Sequence, residues 1–166
     1  HEHLSGAIRG QTCHIEAWPD AGLAGDPSTS RPTTSWYVDI VADDGFRFPV
    51  SRGSEHQTST SSHTCEAETI ALSTCLRQHA LPIQLLLKQL IGGTIELKVF
   101  EDNSATIAAI RKGYSPALRY LRRTQRIDIG FLHEIFEEHD VNIEKASTSK
   151  HRGDMFTKPQ IGRAHV

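Results

Sequence analysis

The chain has little sulfur, no long apolar run and no excess of charge of either sign. Its three cysteines, Cys13, Cys65 and Cys75, form no CxxC pair and no repeat. Such an odd, sparse set speaks against a disulfide framework and for reduced thiols in a reducing compartment. No stretch approaches the ~20 apolar residues of a membrane-spanning helix, and no secretory leader is visible. No glycine-rich phosphate loop is present, which leaves a small-molecule α/β enzyme without support. Lys and Arg number 18 against 20 Asp and Glu, for a formal charge of -2. The whole chain therefore carries no electrostatic sign of nucleic-acid binding, although a local basic patch remains open. What is present is an ordinary globular mix, 37% hydrophobic and 23% charged, in 166 residues. That length suffices for one domain with a real core.

Hydrophobic patterning predicts the order β-β-β-α-β-α-α-β-α. "TCHIEAW" alternates as a strand ending near Asp20. A turn-rich loop, "AGLAGDPSTSRPTT", follows it. "SWYVDIVADDG" and "FRFPV" form a hairpin around an Asp-Asp-Gly turn. "SRGSEHQTSTSSHT" is polar and linker-like. The amphipathic "CEAETIALSTCLRQHA" is a helix, which Pro82 kinks or restarts through Leu90. "TIELKVFED" is the fourth strand, with Ile95, Leu97 and Val99 on one face. Ser104 is expected to cap the next helix, which ends near Lys112 and Gly113. "IDIGFLHEIFEEHD" reads as a helix, "VNIEKA" as a short strand and "GDMFTKP" as a helical turn. A meander followed by αβ crossovers implies a mixed sheet of five strands with helices packed on it.

Four acids stand at informative places: Asp20 on the first strand, Glu68 on the first helix, Asp102 at the end of the fourth strand and Asp154 at the start of the last helix. Any one of them is ordinarily a cap or a solvated charge. Jointly they match a known demand. Magnesium takes carboxylate oxygens together with water and substrate phosphate. Two such ions ~3.5–4 Å apart can clamp the attacking and leaving oxygens of a phosphodiester. Helical geometry separates Glu68 from Glu66, because residues two apart point to nearly opposite sides. Glu68 falls between Leu72 and Cys75 in the apolar arc. Glu66 falls between Ser73 and Arg77 on the polar side.

The segments "PDAGLAGDPSTSRPTTSWYV", "CEAETIALS", "EDNSATIAA", "RIDIGFLHEIFEE" and "GDMFTKP" stand in that order. Together they resemble the ribonuclease H domain of copia-type retrotransposon pol polyproteins, from Trp18 to Pro159. The resemblance implies a ribonuclease H-like α/β fold. The implied activity is endonucleolytic cleavage of the RNA strand of an RNA–DNA hybrid during reverse transcription. Asp20, Glu68, Asp102 and Asp154 become the acids that hold two Mg²⁺ ions, for which Mn²⁺ can substitute. The implied partners are the hybrid and the reverse transcriptase domain of the same polyprotein, with no membrane. The implied location is the element's virus-like particle in the cytoplasm. The chain departs from the family at Gly22 and Leu23, where the family usually has Asp and Trp, and at Pro82, where it usually keeps a helix. The main alternative is a degenerate copy that folds and binds nucleic acid without cleaving it. An integrase-type nuclease is a poorer fit, because "EAETIAL" lies between the first two Asp positions.

"RKGYSPALRYLRRTQR" concentrates Arg111, Lys112, Arg119, Arg122, Arg123 and Arg126 around Tyr114 and Tyr120. In a chain of net negative charge, this cluster is the expected phosphate-binding segment. Asn103 and Ser104 are candidates for 2′-hydroxyl contacts, and His151 for a proton relay. Residues 1–12 read as the ragged end of a longer polyprotein and 13–159 as the ribonuclease H-like domain. "QIGRAHV", residues 160–166, reads as a non-native tail, because its codons can spell a common sequencing adapter.

Overall fold

A computed structural model describes residues 12–23, 31–58, 61 and 63–147. Five strands form one mixed sheet: β1 (Cys13–Gly22), β2 (Thr33–Ala42), β3 (Arg47–His56), β4 (Glu96–Glu101) and β5 (Val141–Lys145). Their spatial order is β3-β2-β1-β4-β5. β1 pairs antiparallel with β2 and parallel with β4, so it is the central strand. This is the mixed sheet that the hairpin-then-crossover pattern implies.

The helical elements are α1 (Thr64–Thr74), a π-helical turn (Cys75–Ala80), α2 (Leu81–Ile91), α3 (Ser104–Lys112), a 3₁₀ turn (Pro116–Leu118), α4 (Leu121–Thr124) and α5 (Ile129–Glu137). Pro82 lies in the first turn of α2, so a new α-helical segment starts there as expected, although the helical run continues through it. The flanking residues Ala80 and Leu81 keep right-handed helical dihedrals. Proline lacks the N–H for an α-helical bond, and the wider π turn just before it changes the bonding register where that donor would be missed.

Ile15, Ala17, Val38, Ile40, Leu97, Val99, Val141 and Ile143 line one face of the sheet. Ile70, Leu72, Leu76, Ile107, Ile110, Leu121 and Leu132 cover that face from the helices. On the other face Trp18 stacks on Phe100 at 4.3 Å beside Tyr37. Three expectations need correction. β3 runs on through the linker-like "SRGSEH"; its half-buried positions there are Ser51 and Gly53, which carry no apolar side chain to mark the alternation. The cap of α3 is Asn103, whose Oδ1 accepts the Thr106 N–H at 2.9 Å, and Ser104 is the first helical residue. Glu66 is buried rather than on the polar side.

Candidate active site

Parallel pairing of β1 with β4 sets Ala17 beside Val99. Three residues further along each strand stand Asp20 and Asp102. α1 crosses the same sheet and brings Glu68 to that end. Asp20, Glu68 and Asp102 each offer an oxygen within 4.8 Å of the others. Asp20 and Glu68 are buried and Asp102 is half-buried. Asp102 lies one residue past the end of β4, so the expected position at the strand end holds to within a residue. Asp154 and His151, with the helical turn "GDMFTKP" and residues 160–166, lie outside the described residues.

Burial is the largest influence on Glu68, and the charges of Glu101, Asp20 and Asp102 add to it. An N–H of Ala21 offsets only part, and the carboxyl is pushed up to about 10. Its Oε2 is buried without a hydrogen-bond partner. Three carboxylates this close repel one another, and burial removes the water that would screen them. A proton can relieve that repulsion, and so can a divalent cation. The all-oxygen, partly buried donor set with an unsatisfied lone pair fits a hard cation such as Mg²⁺ or Mn²⁺.

Glu101 was not foreseen in this site. It is fully buried, and its Oε1 accepts the N–H of Asn103 at 3.0 Å. Its Oε2 has no hydrogen-bond partner. Burial raises its pKa well above the usual range; the Asn103 N–H offsets part, and the charges of Asp102 and Asp20 add to the rise. The signal was available in the alternation Leu97, Val99, Glu101, which puts the third residue on the core face with the other two. Lys145 was missed as well. From the end of β5 its Nζ donates to the Asp102 carbonyl and to Ser104 Oγ, the latter at 2.7 Å. Ser104, Arg111 and Lys145 line a recess of about 260 Å³. Asn103 is half-buried beside the acids; with Oδ1 taken by the cap, its NH₂ group is what it can offer a ligand.

The basic residues separate into two places. Arg111 and Lys112 sit on the last turn of α3, and Arg111 Nη2 donates to the Ile143 carbonyl at 3.3 Å. Arg119, Arg122 and Arg123 are exposed on the segment from the 3₁₀ turn through α4. Arg122 forms an exposed pair with Asp128 at 3.5 Å. Buried Leu118 and Leu121 anchor this segment to the core. Its hydroxyl tie was also unforeseen: the Tyr120 O–H donates to Glu66 Oε2 at 2.9 Å. Glu66 and Glu68 are equally buried, each 4% exposed, but they face different surroundings.

No family model matches the chain. No curated protein sequence matches it either. Solved structures do. Ribonuclease H1 from the halophilic archaeon Halobacterium salinarum NRC-1 superposes with a TM-score of 0.58 at 19% identity, over 86% of this chain and 93% of that one. LC11 ribonuclease H1, solved in complex with an RNA/DNA hybrid, superposes with a TM-score of 0.56 at 18% identity, over 86% and 92%. At these identities the likeness speaks for architecture. With its β3-β2-β1-β4-β5 sheet and flanking helices, the chain has the ribonuclease H-like fold.

Proposed function

We propose that this chain is a metal-dependent endonuclease that hydrolyses the RNA strand of RNA–DNA hybrids, and that it serves reverse transcription in a copia-type retrotransposon. The observation that carries this reading is the convergence of Asp20, Glu68 and Asp102 within 4.8 Å at one end of the sheet. The unsatisfied Glu68 oxygen supports it, as does the fold shared with two ribonucleases H1. Asp20, Glu68 and Asp102, with Asp154 as fourth acid, would hold two Mg²⁺ ions or Mn²⁺ in their place. Bound there, such ions supply Lewis-acid stabilisation of the charge that develops on a phosphodiester undergoing in-line hydrolysis.

The remaining roles belong to the protein. Glu101 accepts the Asn103 N–H and so fixes the turn that carries Asp102 between strand and helix. Lys145 steadies the same turn from β5. The hybrid's phosphates fall to Arg119, Arg122 and Arg123, with Arg111 and Lys112 at the end of α3. The amide of Asn103 and the hydroxyl of Ser104, which follow Asp102 in the chain, would meet a 2′-hydroxyl of the RNA strand and so distinguish it from DNA. Residues 13–159 form the catalytic unit in this reading, alongside a reverse transcriptase neighbour, in a cytoplasmic virus-like particle. Among the described residues, no helix is long and apolar enough to cross a membrane.

The test is cleavage of an end-labelled RNA–DNA hybrid, duplex RNA and duplex DNA, each with Mg²⁺ and with EDTA. The reading expects Mg²⁺-dependent cuts in the RNA of the hybrid alone. Binding of the hybrid without cleavage would instead make the chain a degenerate copy. Cleavage that persists in EDTA would refute the metal site.

A further inference from the structure

Glu66 is a buried acid with no part in the metal site. It lies on the first turn of α1, two residues from Glu68, or about 3 Å along the helix axis. Burying a carboxylate is costly unless a donor meets it. Here the donor is the Tyr120 hydroxyl, from a residue 54 positions later in the chain. Tyr120 stands between Arg119 and Arg122–Arg123 and is itself 38% exposed. The segment around it has little regular structure of its own. It consists of one 3₁₀ turn and one four-residue helix, and closes at Arg126, a non-glycine residue at φ 56°. Leu118 and Leu121 tether it through apolar packing, which fixes its distance from the core more firmly than its rotation. A hydrogen bond is directional and adds a restraint on that rotation.

We propose that Glu66 is a positioning residue for the substrate: through Tyr120 it holds the Arg119–Arg123 segment in register with the acids, so that the phosphates of a bound hybrid and its scissile bond are presented together. The inference rests on the function proposed above. Glu66 touches neither the hybrid nor a cation; it acts only through Tyr120.

The test compares Tyr120→Phe, Glu66→Ala, Glu66→Gln and the double variant Glu66→Ala/Tyr120→Phe with the wild-type chain. Hybrid affinity is read by anisotropy, KM and kcat by cleavage, and folding by melting temperature. Loss of the bond in Tyr120→Phe or Glu66→Ala is expected to weaken hybrid binding and raise KM by about five- to tenfold. The value of kcat is expected to stay within about twofold, because the chemistry is untouched. Glu66→Gln keeps an acceptor oxygen and is expected to behave as wild type. The double variant is expected to be no worse than the weaker single variant, since both remove one bond. A lower melting temperature with unchanged affinity and KM would make the bond merely structural and overturn the proposal. Anisotropy reads the brace even in a chain that binds without cutting. A wild-type chain that does not bind the hybrid at all would remove the proposed function, and this inference with it. A wild-type chain that binds, with Tyr120→Phe binding equally well, would remove this inference alone.

Discussion

Glu68→Gln is a nearly isosteric change that removes one ionisable group from the acid cluster, and its effect can be worked through from the structure. An unfolded glutamate releases its proton near pH 4.5, whereas the folded Glu68 carboxyl holds it up to about pH 10. Between those values the folded chain binds one more proton than the unfolded chain. Stability without metal therefore falls as pH rises, by about 1.4 kcal/mol per unit for one group. At pH 7, about 2.5 units above the unfolded value, that amounts to as much as about 3 kcal/mol. The glutamine carries no such linkage. In EDTA the variant is expected to melt higher than the wild type by up to about 6–12 °C at pH 7, taking ~2–4 °C per kcal/mol for a chain of this size. The gap is expected to close near pH 4.5 and to widen toward pH 9. Excess Mg²⁺ at about 100 times its dissociation constant is expected to add about 2.7 kcal/mol to the wild type, and much less to the variant. Cleavage is expected to be lost. Differential scanning fluorimetry at pH 5, 7 and 9, with EDTA and with Mg²⁺, reads all of this directly. Wild-type and variant melting curves that keep a constant separation from pH 5 to pH 9 would refute the reasoning.

Asp102→Asn is expected to abolish cleavage of the hybrid while leaving melting in EDTA unchanged or slightly higher, because the Asp102 charge bears on both Glu68 and Glu101; wild-type turnover would sink the metal-site assignment. Neutralising Arg119, Arg122 and Arg123 together is expected to weaken hybrid binding and to flatten the slope of log affinity against log salt by about 0.7–0.9 for each phosphate left without its cation. An unchanged slope, measured by anisotropy across a salt series, would return the cluster to a solvated surface. Gly53→Ala tests the packing of β3. Its Cβ would lie 2.6 Å from the Trp36 ring, which is stacked on His79 and donates to Ser51. The expected loss is about 1–3 kcal/mol by chemical denaturation, and an unaffected midpoint would mean that the ring is free to move.

The residues differ in how much of this they disclose on their own. β4 alternates between buried and half-buried positions, whereas β1 and β2 are buried at nearly every position; all three were legible as apolar, β-branched or aromatic stretches bounded by turn residues. Gly113 was legible for a different reason: α3 ends there at φ 75°, a conformation that glycine adopts without strain. β3 beyond Pro49 was not, because the positions that face Trp36 there are Ser51 and Gly53, which carry no apolar side chain and so leave no hydrophobic period. The wheel placed Glu68 correctly and Glu66 wrongly. It ranks positions by the neighbours on their own helix, and Glu66 is covered by Tyr120, 54 residues away. It also assumed an unbroken 3.6-residue repeat, whereas the π turn begins at Cys75. Chain distance limits the reading of the acids in the same way. Asp20 and Asp102 were found as candidates by their place at strand ends, but only the β1–β4 register brings them together.

The site and the core compete for the same residues, which explains where the acids lie. Glu101 continues the row of Leu97 and Val99, and Glu68 lies in the arc of Leu72, so both occupy positions that an apolar side chain would fill at no electrostatic cost. Two oxygens left without hydrogen bonds in so small a region oppose folding. The β1–β4 core has to offset that opposition, and it does so with the fully buried Ile15, Ala17, Leu97 and Val99 immediately behind the acids. The rigid pairing that stabilises those residues also fixes the spacing of the carboxylates, so without a cation they cannot relax apart and Glu68 keeps a proton instead. Had the acids been placed on the loops instead, repulsion would have spread them, and a cation would have had to gather them on binding. Held on paired strands and a packed helix, they are gathered in advance, and the cost is met during folding rather than at each binding event.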